Sequence, residues 1–330
     1  MVDFSVVLPI YNEAEGLNAC YAALTSVIDQ LDHSFEIVMV NDGSDDASFQ
    51  LVEKLAAADP RVRGLSLSRN FGHQVALTAG LDHARGEAVI TMDADLQHPP
   101  EVIPQLIEQY HLGYDVVYTV RLESDATGSF KQHTSRMFYN LINRLADVRI
   151  EPAAADFRLM SAKAVAGYKK FSEKGRFTRG LVQWMGFRQV AVSFTVAPRI
   201  AGRSKYTFKK MLRFAFDGIT AFSSKPLRWA FGLGFVLLAF AVVYSLFAVF
   251  VYLRQETVPG WTSILISVLM LGAVQLLCIG LLGEYVARIF DEVKDRPLYL
   301  VQSDTSDSES EKCETAEDEV GSPRDAASQT

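Results

Sequence analysis

The chain has 330 residues and 49% of them are hydrophobic, so it can fill the core of one full domain with a smaller part beside it. Its formal net charge of −7 comes from residues 302–330, which hold nine acidic and two basic residues, and the rest of the chain is balanced. A body without a basic excess is not expected to bind nucleic acid, because neutralising phosphates needs clustered cations.

The first 120 residues alternate between short apolar runs and segments of helical length. Strands are predicted at FSVVLPIY, FEIVMVND, VRGLSLS, AVITMDAD and YDVVYTVR, and helices near 14–31, 46–58, 73–84 and 99–112. Strands separated by helices indicate a mainly parallel sheet covered on both faces, which is an α/β domain. The first run stops at Pro9 without a basic segment before it, so it is predicted as a strand rather than a signal peptide.

Polar side chains follow three of these strands at the point where each strand ends. They are Tyr11, Asn12 and Glu13 after the first, Asn41 and Asp42 after the second, and Asp93 and Asp95 after the fourth. The carboxyl ends of strands border the ligand crevice of open α/β sheets, so the three motifs point to one crevice.

Asp93 and Asp95 stand one residue apart, where two like charges repel each other unless a cation lies between them. With the amide of Gln97 they supply hard oxygen ligands, which suit Mg²⁺ or Mn²⁺ rather than zinc. An acidic pair alone is common in surface loops, so its position at a strand end carries the prediction of a metal site.

Residues 207–227 mix Lys209, Lys210 and Arg213 with apolar side chains. This composition is typical of an amphipathic helix in the headgroup layer of a membrane, and a solvated helix packed on the domain by its apolar face is the alternative.

Two further stretches, residues 229–253 and 261–283, contain no charged residue. Each is long enough to span a bilayer of about 30 Å at about 1.5 Å per residue, so we predict two transmembrane helices within residues 228–290. Basic residues flank the outer ends of the pair, at Lys225, Arg228, Arg288, Lys294 and Arg296, whereas the connecting loop holds only Arg254. The positive-inside rule therefore predicts a multi-pass protein of the cell membrane with its α/β domain and both termini in the cytoplasm.

The small residues Gly272, Gly280 and Gly283 would allow helices to approach closely, as in a homo-oligomer. The last part, residues 291–330, ends in a tail rich in Ser, Asp and Glu. From residue 302 onward we expect this tail to be disordered and to have no catalytic role.

A set of motifs resembles a known family. The motifs are VVLPIYNE at 6–13, VNDGSDD at 40–46, LSRNFGHQVALTAG at 67–80, DADLQHPPE at 93–101, DFRLM at 156–160, GRSKY at 202–206 and the paired hydrophobic helices. Over roughly residues 4–301 the chain resembles the inverting glycosyltransferases of family 2, which have the GT-A fold, and among them the membrane-anchored polyprenyl-phosphate glycosyltransferases. The resemblance implies a GT-A domain over residues 1–206. It also implies transfer of one sugar from a UDP- or GDP-linked donor to a membrane polyprenyl phosphate, with Mg²⁺ or Mn²⁺ as cofactor.

The resemblance also implies roles for individual residues. Nucleotide-sugar binding would fall to Pro9, Tyr11, Glu13, Val40, Asp42, Asp93, Ala94, Asp95, Arg121, Arg199 and Lys205. The metal ligands would be Asp93, Asp95 and Gln97, and the acceptor phosphate would meet Arg158, Ser204 and Lys205. Asp156 and Asp95 would be the catalytic residues. Asp156 is either a base or an orienting group, because a lipid monophosphate with a second pKa near ~6 is already an anion at neutral pH.

Two other function classes compete with this interpretation. Processive polysaccharide synthases share the Asp-x-Asp domain and resemble one another in a Gln-x-x-Arg-Trp segment. In this chain the Arg-Trp pair lies in KPLRW, with Lys225 where Gln would be. A non-catalytic membrane partner would have no need of the metal ligands.

Overall fold

The computed structural model describes residues 2–122, 154–176, 178–195, 225–253 and 260–306. The described residues form two units, one with residues 2–122, 154–195 and 297–306, the other with residues 225–253 and 260–296. The predictions for Arg199, Ser204 and Lys205, for the amphipathic segment up to residue 224 and for the tail beyond residue 306 lie outside the described residues.

The first unit is built on one eight-stranded sheet. Its strands are β1 (Phe4–Ile10), β2 (Phe35–Asn41), β3 (Val62–Leu67), β4 (Ala88–Thr91), β5 (Val116–Leu122), β6 (Ala154–Ser161), β7 (Gln189–Thr195) and β8 (Val301–Asp304). In space they follow the order β7-β5-β6-β4-β1-β2-β3-β8. The pairs β1–β2, β1–β4, β2–β3 and β5–β7 are parallel, whereas β6 runs antiparallel to β4 and β5, and β8 runs antiparallel to β3. The α/β domain is confirmed. Six of its eight strands share one direction, so the sheet is mainly parallel, and it is mixed because β6 and β8 enter in the opposite direction.

Helices connect the strands as the sequence predicts. They are α1 (Leu17–Ile28), α2 (Ser48–Ala58), α3 (His73–His83), α4 (Ile103–His111, after a 3-10 turn at Pro100–Val102), α5 (Ala162–Lys169) and α6 (Thr178–Trp184). The four predicted helices correspond to α1 through α4. Helix α5 begins at a capped end, because the Ser161 hydroxyl accepts a hydrogen bond from the Ala164 N–H at 3.2 Å.

Strand β1 is buried along its whole length, so apolar residues occupy both of its faces. Helix α1 contributes Leu17, Cys20, Leu24 and Ile28 to the core at spacings of three and four residues, which is the buried stripe of an amphipathic helix. Helix α3 packs closely on the sheet at Gly80, where an added Cβ would lie 2.2 Å from Val7 Cγ1. This core fixes the carboxyl ends of the central strands, where the polar motifs lie.

Strand β8 contradicts the prediction of a disordered tail from residue 302 onward, because residues 302–306 are ordered on the edge of the sheet. Asp304 forms an ion pair with Arg63, in which Arg63 Nε lies 3.1 Å from Asp304 Oδ1. The Thr305 hydroxyl accepts a hydrogen bond from the Gly64 N–H at 2.9 Å. The prediction was wrong for residues 302–306 because β8 is short and polar and pairs with a strand 241 residues away, a contact that leaves no local pattern in the sequence.

The second unit contains two long helices, α7 (Lys225–Leu253) and α8 (Trp261–Val293). Within the described residues, the stretch Met270–Val293 is long and apolar enough, by length and composition, to cross a membrane. The other predicted span remains a prediction.

Candidate active site

A cavity of about 490 Å³ lies at the carboxyl ends of β1, β2 and β4. Its walls hold eight of the residues predicted to form the site, namely Pro9, Tyr11, Glu13, Asp42, Asp93, Ala94, Asp95 and Asp156. The fold therefore brings together side chains from motifs that are up to about 150 residues apart in the sequence, as expected for the strand ends of an α/β sheet.

The loops after β1 and β2 are held together by side-chain hydrogen bonds. Ser44 Oγ accepts from the Asn12 N–H, and Asn12 Oδ1 in turn accepts from the Asp45 N–H, at 3.0 and 2.9 Å. Ser48 Oγ accepts from the Glu13 N–H at 3.0 Å. These contacts satisfy backbone groups beside the cavity and fix the position of Tyr11 and Glu13 in its wall.

Asp42 holds the next loop in place. Its two carboxylate oxygens accept hydrogen bonds from the Phe71 and Gly72 N–H groups at 2.7 and 2.9 Å. Gly43 follows with a φ of +62°, and a Cβ at this position would lie 2.4 Å from the backbone carbon of Arg69. Only glycine permits this approach, so the Asp-Gly pair after β2 places the start of α3 at the cavity.

Asp93 lies between two histidines. The His98 Nδ1 accepts a hydrogen bond from the Asp93 N–H at 3.0 Å, and the His98 ring stacks on Phe157. Burial lowers the pKa of His98, which favours the neutral ring that can accept this bond. On the other side, His73 Nε2 lies 3.4 Å from Asp93 Oδ1.

The chain turns sharply between the two acidic residues and Gln97. Leu96 has a φ of +58°, an uncommon conformation for a branched side chain, and Asp95 Oδ1 accepts a hydrogen bond from the Gln97 N–H at 3.0 Å. Gln97 is buried, does not line the cavity, and its Oε1 accepts a hydrogen bond from Arg121 Nη2 at 3.2 Å. The structure therefore engages Gln97 with Arg121 rather than with a metal position in the cavity.

Asp156 is buried and surrounded by donors. Arg179 binds both of its oxygens, through Nε and Nη2 at 3.1 Å each, and Arg158 Nη2 binds Oδ1 at 3.1 Å. Gln74 Nε2 donates to Oδ2 at 3.2 Å. Burial alone would raise the pKa of Asp156, but the guanidinium groups of Arg179 and Arg158 outweigh it and hold the pKa far below its ordinary value. Asp156 is therefore an ionised carboxylate.

The cavity as a whole carries an excess of negative charge. Burial, followed by the charges of Asp95, Asp46 and Asp93, raises the pKa of Glu13. Asp93 Oδ1 is buried and has no hydrogen-bond partner among the described residues. Such an oxygen fits a divalent cation, because hard carboxylate oxygens are its preferred ligands. Within the described residues no cluster of three or more His, Cys, Asp or Glu side chains has metal-binding geometry.

Besides Gln97 and its partner Arg121, two more predicted site residues lie away from the cavity. The Val40 side chain is fully buried in β2 and packs towards Gly80, so it does not reach the crevice. Arg158 is almost completely buried against Asp156 and the Ala155 carbonyl, which leaves it unable to contact an acceptor phosphate directly. By alternation each shares a strand face with a lining residue, Val40 with Asp42 and Arg158 with Asp156, but each lies two positions further from the sheet edge that borders the cavity.

Sequence reasoning missed four residues that contact the site carboxylates: His73, Gln74, His98 and Arg179. His73 and Gln74 lie inside the motif LSRNFGHQVALTAG and His98 inside DADLQHPPE, so the motifs were a usable signal. Arg179 stands on a short helix 23 residues after Asp156, and no local pattern marks it.

Comparisons with known proteins show which family the chain belongs to. The family described as Glycosyl transferase family 2 matches residues 5–168, and the GtrB C-terminal hairpin family matches residues 225–289. The chain is 43% identical over 302 residues to an uncharacterized glycosyltransferase, YkcC, of Bacillus subtilis, covering 91% of this chain and 94% of the relative. It is 41% identical over 300 residues to a bactoprenol glucosyl transferase of Shigella phage SfII, covering 90% of this chain and 97% of the relative. Among solved structures, Staphylococcus aureus TarS 1–349 in complex with UDP-GlcNAc is 19% identical, with 66% of each chain covered and a TM-score of 0.43.

Proposed function

The chain belongs to glycosyl transferase family 2, and we propose that it transfers one sugar from a nucleotide-sugar to a polyprenyl phosphate in a membrane, with inversion at the anomeric carbon. Its α/β domain with the mixed sheet has the GT-A fold. The observation that carries the proposal is the cavity itself, where Asp93 and Asp95 face an ionised Asp156 that two arginines hold. The relatives named bactoprenol glucosyl transferase support the lipid acceptor, because they align along most of both chains.

The donor would lie along the cavity with its diphosphate beside Asp93 and Asp95. A divalent ion, Mg²⁺ or Mn²⁺, would be held by these two carboxylates and would stabilise the charge on the departing diphosphate as a Lewis acid. The orphaned Asp93 Oδ1 and the excess negative charge of the cavity support this assignment. His98 would keep the backbone of Asp93 in place through its hydrogen bond to the N–H group.

Asp156 would act as an anchor rather than as a base. Its oxygens already accept hydrogen bonds from Arg179, Arg158 and Gln74, and its lowered pKa makes it a poor proton acceptor. A lipid monophosphate needs no base, since its second pKa near ~6 leaves it an anion at neutral pH. The role of Asp156 would be to hold Arg179, one-third exposed, at the site where an anionic acceptor approaches.

The acceptor's phosphate cannot leave the membrane surface, so the crevice must work there. We propose that α7 and α8 form two membrane spans, with the α/β domain and both termini in the cytoplasm. The length of each helix and the basic residues at the outer ends of the pair support this arrangement. Association of copies through the glycines of α8 would be a further consequence of such spans.

Transfer in liposomes tests the proposal. Purified full-length protein would be given UDP- and GDP-linked sugars with undecaprenyl phosphate or dolichyl phosphate, and sugar in the lipid phase would be measured. We expect one sugar per lipid with at least one donor, and loss of transfer in Asp95→Asn. A polymeric product would instead indicate a processive synthase, and no product with any donor would contradict the proposed function.

A further inference from the structure

A second cavity, of about 580 Å³, adjoins the first at the carboxyl ends of β2 and β3. Tyr11 and Asn70 line both cavities, so the two together make one continuous groove. The wall of the second cavity includes Gln302, which comes from β8 at the far end of the sequence. No other described residue after β7 lines either cavity.

The pairing of β8 explains how Gln302 reaches the groove. Ser303 pairs with Ser66 and Val301 pairs with Leu67, and the register shifts between these two pairs. Gln302 is thus the extra residue of a bulge, a feature that redirects a side chain next to binding sites. Hydrogen bonds fix β8 on both sides of the bulge, from the Ser68 N–H to the Leu300 carbonyl and from the Gly64 N–H to the Thr305 hydroxyl, each at 2.9 Å.

The two cavities differ in the chemistry that they offer a ligand. Asp45, Asp46 and Arg69 line the second cavity, so its charged lining is net negative and disfavours a diphosphate there. The first cavity offers the acidic pair and the room for a cation that a diphosphate needs. A nucleotide-sugar laid along the groove therefore has its diphosphate in the first cavity and its base in the second.

Four amide side chains line the second cavity with the exposed ring of Tyr11, those of Asn41, Gln50, Asn70 and Gln302, and the bulge in β8 sets Gln302 apart from the others. Asn41 serves the fold, because its Nδ2 donates to Ser66 Oγ and its Oδ1 accepts from the Ser44 N–H. The Gln302 amide makes no hydrogen bond to any residue in the described part of the chain. It presents both a donor and an acceptor, which is the pair of groups that the edge of a nucleobase requires.

We propose that Gln302 contacts the base of the donor nucleotide and determines which nucleotide the enzyme accepts. The inference rests on the proposed function, since it needs a nucleotide donor. Strand β8, which follows helix α8, would then take part in substrate recognition. The tail up to Ser306 would be a component of the donor site rather than a chain end in solvent.

Nucleotide binding by the purified full-length protein tests this role. Dissociation constants for UDP, CDP and GDP would be measured by calorimetry for the unaltered chain, Gln302→Ala and Gln302→Glu, with Ser303→Ala as the matched control. Ser303 neighbours Gln302 on β8 but lines a different cavity. Because Gln302 is exposed, none of the variants should change the melting temperature by more than about 2 °C.

We expect Gln302→Ala to weaken binding of the preferred nucleotide by about 3- to 10-fold and to reduce the preference among the three nucleotides. The donor KM should rise by a matching factor, whereas kcat should stay within about 2-fold of its unaltered value. Gln302→Glu should shift the preference, because it replaces the amide donor with an acceptor. Ser303→Ala should bind like the unaltered chain. If Gln302→Ala has the same affinities and the same nucleotide preference as the unaltered chain, the inference is overturned and the proposed function stays intact. Failure of the unaltered chain to bind any of the three nucleotides would overturn the proposed function itself.

Discussion

Replacing Asp156 with asparagine separates the two roles that this residue could have. Asparagine keeps the size of the side chain and removes its charge, so Arg158 is left with an uncompensated charge in a site where only 3% of its side chain is exposed. Breaking a buried pair in this way costs about 3–5 kcal/mol. For a domain of this size that corresponds to a fall in melting temperature of about 6–20 °C.

The assay compares thermal unfolding, donor affinity and transfer for the full chain in detergent. A second variant, Asp156→Asn with Arg158→Met, removes the buried positive charge and should recover a large part of the lost melting temperature. If Asp156 anchors Arg179, both variants should transfer sugar poorly at every pH from 5 to 9. The carboxylate of the unaltered protein stays ionised over that range, because its lowered pKa confines any loss of its contribution to pH values below the unfolded value of about 3.9.

One result would refute this reasoning. If Asp156→Asn unfolds within about 2 °C of the unaltered chain and binds the donor normally, yet loses about 1,000-fold in kcat, the side chain acts on the reacting atoms as a base.

Three further outcomes follow from other parts of the molecule. Asp93→Asn and Asp95→Asn should each lower turnover by at least about 100-fold, and a chelator should abolish transfer until Mg²⁺ or Mn²⁺ is restored; full turnover in excess chelator would contradict the metal assignment. Truncation after Ser306 should leave the kinetics unchanged. Truncation after Gln302 removes a largely buried ion pair and should lower the free energy of unfolding by about 1.5–3 kcal/mol, measured by thermal unfolding. An equal melting temperature for the two truncated proteins would contradict the role given to β8. Hydrogen bonds from Arg61 lower the pKa of Asp59 from 3.8 to about 2. Asp59→Asn should therefore destabilise the chain at neutral pH, and the loss of stability should shrink as the pH falls from about 4 to about 2. Acid titrations of both proteins would test this.

The regular parts of the fold could be predicted because they leave local patterns. Strands β1 to β5 and helices α1 to α4 follow from apolar runs and helical segments, and the site motifs stand where those strands end. The position of Asp93 and Asp95 in a cavity followed from the same rule, since it needs only the direction of the strand.

The remaining parts depend on contacts between distant residues. Strand β8 has four residues, and its stability comes from an ion pair with Arg63 that no local pattern reports. Arg179 reaches Asp156 in strand β6 from helix α6, and Gln97 contacts Arg121 beyond the backbone turn at Leu96. Each of these is set by tertiary geometry, which single-sequence patterns do not contain.

The place of β8 in the sheet has a consequence for how the chain is synthesised. A ribosome releases β3 long before β8, because the residues that meet in the Arg63–Asp304 pair are 241 positions apart. The β3 edge of the nascent domain therefore stays unpaired while both long helices are synthesised. An unpaired strand edge is a template for aggregation. Stalled or prematurely terminated chains would carry that edge permanently, so quality control in the cell should recognise them by it.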